Sequence, residues 1–181
     1  MQEDCQTVLR FWFEEATPEQ HFSKDTAFDA QIRARFGDTH LAASRGELFE
    51  WRDSPEGRLA EIIVLDQFSR NLYRDSPQAF ACDGTALTLA QEAVRTGADR
   101  SLSQQQRLFM YMPYMHSESR RIHEVAKTLF ESLGLQENLK YELARKAIID
   151  RFGRFPHRNA VLGRDSTQEE LEFLRKPGSA F

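Results

Sequence analysis

The 181-residue chain has little of what staples a protein, breaks its helices or carries it into lipid. Its two cysteines, Cys5 and Cys82, are too few for a disulfide framework or a four-cysteine zinc site. The longest wholly apolar run, Ile62-Ile63-Val64-Leu65, is four residues, where a membrane-spanning helix needs about 20. The first residues, Met1-Gln2-Glu3-Asp4-Cys5, are acidic where a secretory leader would be basic and then apolar. Walker, G-x-S-x-G, H-E-x-x-H and G-x-G-x-x-G patterns are all missing, which removes the common nucleotide, serine-hydrolase, zinc-protease and dinucleotide templates. These absences lead to the expectation of a cytoplasmic protein with no membrane partner, no metal and no cofactor.

Lysine is scarce as well: of 24 basic residues, 19 are Arg. From Arg145 to Arg164 the basic residues are Arg145, Lys146, Arg151, Arg154, Arg158 and Arg164, against the single acid Asp150. This window carries +5, so the remainder of the chain carries −9. An acidic protein with one Arg-rich segment lacks the broad basic footprint that nucleic acid requires. Guanidinium forks match carboxylate and phosphate, so the segment fits either internal ion pairs or one small anion.

No stretch alternates apolar and polar residues with period two, and the chain reads as all-α. Cys5, Val8, Leu9, Trp12 and Phe13 form the stripe of a first helix that stops near Thr17-Pro18. A second begins around Ser23-Lys24-Asp25 and is expected to end at Gly37, with a short third helix at His40-Leu41. Ser54-Pro55 is an N-cap followed by proline at the first helical position, and its helix runs to about Tyr73. Further helices are expected from about Asp83 to Arg95, from Ser103 with a break or kink near Met112 before Pro113, and from Ser117 to Leu133. The last two run from Gln136 to Phe152 and onward from the capping box Thr167-Gln168-Glu169-Glu170. The expectation is an antiparallel array of about eight or nine helices in one domain, residues 1–181. No tetratricopeptide signature or fixed period is present.

The helix from Pro55 is apolar on two sides, yet Asp66 and Arg70 continue the stripe of Leu59, Ile62 and Ile63. Both are expected inside, paired at i,i+4 with the acid first. Arg151 falls within the arc of Leu143, Ala144, Ala147 and Ile148 and is expected inside too. The surplus positive charge calls for more acids, such as Asp83, Glu118 or Asp150, or for a bound anion. The loop Arg151-Phe152-Gly153-Arg154-Phe155-Pro156-His157-Arg158-Asn159 interleaves cations with aromatic rings, which favours stacking. His157 is a candidate proton carrier or a structural imidazole. In His116-Ser117-Glu118, Ser117 reads as a helix cap, and His116 as a base or ligand in the sharper reading.

Four segments together resemble one bacterial family: Leu65 through Asn71, Ala79 through Asp83, Met112 through Glu118, and Arg151 through Asn159. The tail from Leu162 to Glu170 matches as well. The family is domain of unknown function 924, whose members are similar in fold to tetratricopeptide-repeat proteins. The resemblance spans nearly the whole chain. It implies that Asp66, Arg70, Asn71, His116, Glu118, Arg154, His157 and Asn159 lie together. Arg145 stands where members commonly have His, and His123 where they have Gln.

Two functions follow. One is binding of a small anionic ligand or a peptide at a cluster of Asp66, Arg70, Asn71, Glu118, Arg151, Arg154, Arg158, Asn159 and Arg164, which otherwise serves as a structural network. The other is hydrolysis, with His116 or His157 as acid or base and Arg70, Arg151 and Arg154 stabilising negative charge. Nucleic acid is not expected as a partner; a homodimer through exposed phenylalanines is left open.

Overall fold

The computed structural model describes residues 3–179 and holds no strand among them, so the fold is all-α as the periodicity required. The chain divides into two compact units: everything up to Arg74 together with Gln78–Pro113, and Asp75–Pro77 together with everything from Tyr114 onward.

In the first unit, α1 (Cys5–Arg10) starts on Asp4, whose carboxylate accepts the Thr7 amide, and runs into a π-helical turn over Phe11–Glu15. Thr17 and Gln20 form a capping box for α2 (Pro18–Phe22). Asp25 then caps α3 (Thr26–Ser44) by accepting the amides of Ala27 and Phe28. The helix runs through Gly37 instead of stopping there. Phe36, Thr39, His40, Ala42 and Ala43 prolong its buried face, and Gly37 does not adopt the left-handed conformation that a glycine stop would use. The short helix expected at His40-Leu41 is therefore the last part of α3.

Ser54 caps α4 (Pro55–Ile63) as its sequence signature indicated. The same rod continues through a π-helical turn, Val64–Phe68, into α5 (Ser69–Leu72). Every residue from Leu59 to Ser69 is buried, which is where a helix apolar on two sides belongs. Next come α6 (Asp83–Thr96), ended by left-handed Gly97, and α7 (Gln104–Met115). Of the break or kink expected near Met112, the break does not occur. Proline removes one backbone bond, and burial of Met110, Tyr111, Met112, Tyr114 and Met115 on both sides of it holds the helix together. Aromatic rings fill the core of this unit. Phe11 packs on Phe36 with ring centroids 4.9 Å apart, and Trp12 meets Phe109 edge-on at 5.4 Å.

In the second unit, α8 (Arg120–Leu133) packs on α9 (Gln136–Phe152), and each ends on a left-handed glycine, Gly134 or Gly153. Thr167 and Glu170 close the expected capping box of α10 (Gln168–Leu174). Ile148, Ile149 and Phe155 form a buried cluster, with Phe152 and Phe173 against it. α8 starts after Ser119, not at Ser117. The Ser117 amide closes a turn onto the Tyr114 carbonyl, and its own carbonyl faces the His123 ring, so Ser117 does not cap. Among the described residues, no helix is long and apolar enough to cross a membrane.

Candidate functional site

Asp66 sits in the π-helical turn of the buried rod and is 1% exposed. Arg70, one turn on, comes within 3.1 Å of it and also donates to its backbone carbonyl at 2.8 Å. Its two terminal nitrogens also donate to the two Asp83 oxygens, each at 3.0 Å. Burial works against the charge on Arg70, but Asp66 and Asp83 more than restore it and hold its pKa above the ordinary value. Asp83, one of the acids the sequence offered, thus joins Asp66 on Arg70. Asn71 and Arg74 both donate to Asp29 on α3, tying the end of the rod to its neighbour.

The second unit holds the other candidates. Glu118 accepts the Phe155 amide at 2.7 Å and is clasped by both terminal nitrogens of Arg164 at 2.7 and 2.9 Å. Burial opposes its charge, and the Arg164 and Phe155 bonds overcome that, holding the carboxyl below its usual range. Arg164 also donates to the Phe155 carbonyl and to Asn159 Oδ1. Arg154 binds Glu170 through two bonds of 2.7 and 2.8 Å, and Asn159 and the Thr167 amide donate to the same carboxylate. With the Arg154 bonds leading, Glu170 is pulled down to about 2. Arg158 is buried, lies 4.7 Å over the Phe155 ring and donates to the His116 carbonyl at 3.0 Å.

His157 is half-buried in this loop. Burial, then the guanidiniums of Arg158 and Arg145, and more weakly Arg164, push its pKa down to about 4 against the opposing pull of Glu118. The ring is therefore neutral at physiological pH. His116, also half-buried, gives its carbonyl to Arg158.

Arg151 is the clear departure. It is exposed and forms an ion pair with exposed Glu169 on α10, 2.7 Å away. The arc read on α9 is largely uncovered: Leu143, Ala144 and Ala147 are exposed as well, and the buried side of the helix is Glu142, Ile148 and Ile149. The residues that the resemblance grouped together fall into two sets by residue assignment. Asp66, Arg70 and Asn71 lie in the first unit, and His116, Glu118, Arg154, His157 and Asn159 lie in the second.

Sequence reasoning missed two buried pairs. Arg52 meets the fully buried Glu61 through two bonds of 2.7 Å. His123 and Glu142, both 0% exposed, meet Nδ1 to Oε1 at 2.7 Å, and the second His123 nitrogen is 2.8 Å from the Ser117 carbonyl. A carbonyl only accepts, so Nε2 carries a proton, and one more proton lies between Nδ1 and Glu142. The pair therefore holds one proton more than a neutral imidazole beside a carboxylate. Burial raises the Glu142 pKa, and its buried Oε2 has no partner among the described residues. Position 123, noted as departing from the resemblance, was the signal that could have found this pair. Cys82, by contrast, is no activated thiol: burial raises its pKa. Among the described residues no group of three His, Cys, Asp or Glu side chains could hold a metal ion.

Residues 8–178 match a family of bacterial proteins of unknown function, DUF924. The chain belongs to this family. Among solved structures it is similar to a protein of unknown function from Agrobacterium tumefaciens, with 39% sequence identity and a TM-score of 0.89. That match covers 94% of this chain and 96% of the other. No curated protein matches.

Proposed function

We propose that this DUF924 protein binds a small anion in its second unit, at the guanidiniums around His157. The observation that carries the reading is the gathering of guanidiniums there. Arg145, Arg158 and Arg164 all act on the half-buried His157 ring, with Glu118 acting the other way. An anion placed beside a half-buried neutral imidazole would balance that field, with charge-assisted bonds as the source of affinity. Glu118 and Glu170 hold Arg164 and Arg154 in place, and Asn159 braces both pairs. One focus of positive charge suits a small anion better than an extended peptide on a tetratricopeptide-like surface, which would need contacts along a groove. A hydrolytic role is less well supported. An imidazole held at about 4 is a weak base and is not protonated as an acid near neutrality. We place the protein in the cytoplasm, a reading supported by Cys5 and Cys82 both being free thiols.

Thermal-shift titration with phosphate, pyrophosphate and citrate tests the proposal. An anion at 100 times its dissociation constant adds about 2.7 kcal/mol to stability. The stabilisation should fall in Arg145→Gln, whose side chain lies on α9 at this locus. Equal stabilisation of Arg145→Gln, or none of the native protein by any of the three, would contradict it.

A further inference from the structure

A second cationic feature lies in the first unit. A groove of about 520 Å³ is lined by Arg52 before α4, Arg58 on α4, and Thr88, Leu89, Gln91, Glu92 and Arg95 on α6. Three guanidiniums face one carboxylate among the described lining residues. Its volume is within the usual range for small-molecule sites, about 300–1,000 Å³.

The three arginines differ in how they are held. Arg52 is fixed: its Nε and Nη2 both grip Glu61, which is completely buried. The turn carrying Arg52 lies directly on α4, since a Cβ at Gly57 would come within 2.0 Å of the Trp51 carbonyl oxygen. Only glycine permits that approach, and the approach lets Arg52 reach Glu61 one turn further along. Arg95 also commits Nε and Nη2, in its case to Glu92 on the same helix. Both arginines therefore keep Nη1 for another acceptor. Arg58 differs again: its guanidinium makes no ion pair or hydrogen bond among the described residues, and acts only at a distance to lower the pKa of Glu92. Arg52, pinned by a buried acid, is preorganised for an oxyanion, and Arg58 on the same groove brings five donors uncommitted among the described residues. Leu89, the Thr88 methyl and the arginine stems supply apolar wall for the rest of a ligand.

We propose that this groove binds a small organic molecule with a phosphate or carboxylate head, the head on Arg58 and Arg52 and the apolar body along Leu89. This site is independent of the anion site proposed around His157.

Isothermal titration with phenyl phosphate, inorganic phosphate and phenol separates head from body. Phenyl phosphate should bind more tightly than either fragment. Arg58→Gln should weaken it at least tenfold while leaving the far-UV circular dichroism unchanged, since Arg58 pairs with nothing among the described residues. Arg95→Gln, an exposed change, should weaken it less. Arg145→Gln in the second unit should leave this affinity as it is, so failure of one site is distinguishable from failure of the other. Native affinity retained in Arg58→Gln, or no phenyl phosphate binding by the native protein, would overturn the proposal.

Discussion

At the scale of single residues, the chemistry is set by which charges find partners. Asp66, nearly inaccessible to water, depends on Arg70 and on the Gln67 amide. Asp66→Ala leaves Arg70 on Asp83 and on the residue 66 carbonyl. The loss is that of hydrogen bonds to a charged group, about 1.5–3 kcal/mol, and urea unfolding measures it; an unchanged midpoint would contradict the burial. His157 supplies the pH dependence. Its folded pKa of about 4 lies below the ordinary 6.5, so between those values the unfolded chain binds more protons than the folded one. This group's contribution to stability is therefore complete above pH 6.5 and is lost as pH falls toward 4. NMR of the His157 ring should show it neutral at pH 6; a midpoint near 6.5 would contradict the account. The Asp66–Arg70 pair was legible from the sequence because i,i+4 geometry is local. Arg151 was misread because helical periodicity shows a stripe but not whether a neighbour covers it, and the stripe of Leu143, Ala144 and Ala147 is exposed.

At the scale of elements, helix ends carry much of the polar structure. Glu170 is the clearest case, serving the capping box of α10 and the Arg154 fork together. Glu170→Gln keeps the shape of the side chain but not the charge. Hydrogen bonds to charged groups contribute about 1.5–3 kcal/mol each, so a loss of at least about 1.5 kcal/mol is expected in denaturant melts, and Arg154→Gln should add little on top of it. Between α8 and α9 the buried His123–Glu142 pair holds one shared proton. His123→Ala would strand Glu142, with a loss of about 3–5 kcal/mol, whereas His123→Gln, which can still donate to it, should lose less. Equal losses in the two would contradict the hydrogen-bonded reading. The Thr167 box, the Ser54 cap and the glycine stops at Gly97, Gly134 and Gly153 were legible because a cap is a short-range pattern. Gly37, Pro113 and Ser117 were not. At Gly37 and Pro113 buried side chains outweigh backbone preference, and at Ser117 a turn already uses the backbone.

At the scale of the whole chain, the charge arithmetic marked an Arg-rich segment and offered Glu118 and Asp150 as acids for it, but not the rest of its partners. The window from Arg145 to Arg164 is answered by Glu118, Glu124, Glu169 and Glu170, all outside it in sequence. Glu118 is 46 residues from Arg164, and no periodicity connects them. The class of fold and the family were legible across the entire length. The ion pairs that fix each unit were legible only where they fall within one helix. The account rests on the guanidiniums of Arg145, Arg158 and Arg164 acting on His157, and NMR titration of that ring with and without pyrophosphate tests it most directly. Bound pyrophosphate should offset the guanidiniums and raise the His157 pKa from about 4 toward 6.5. A His157 midpoint that does not move at saturating pyrophosphate would contradict the account.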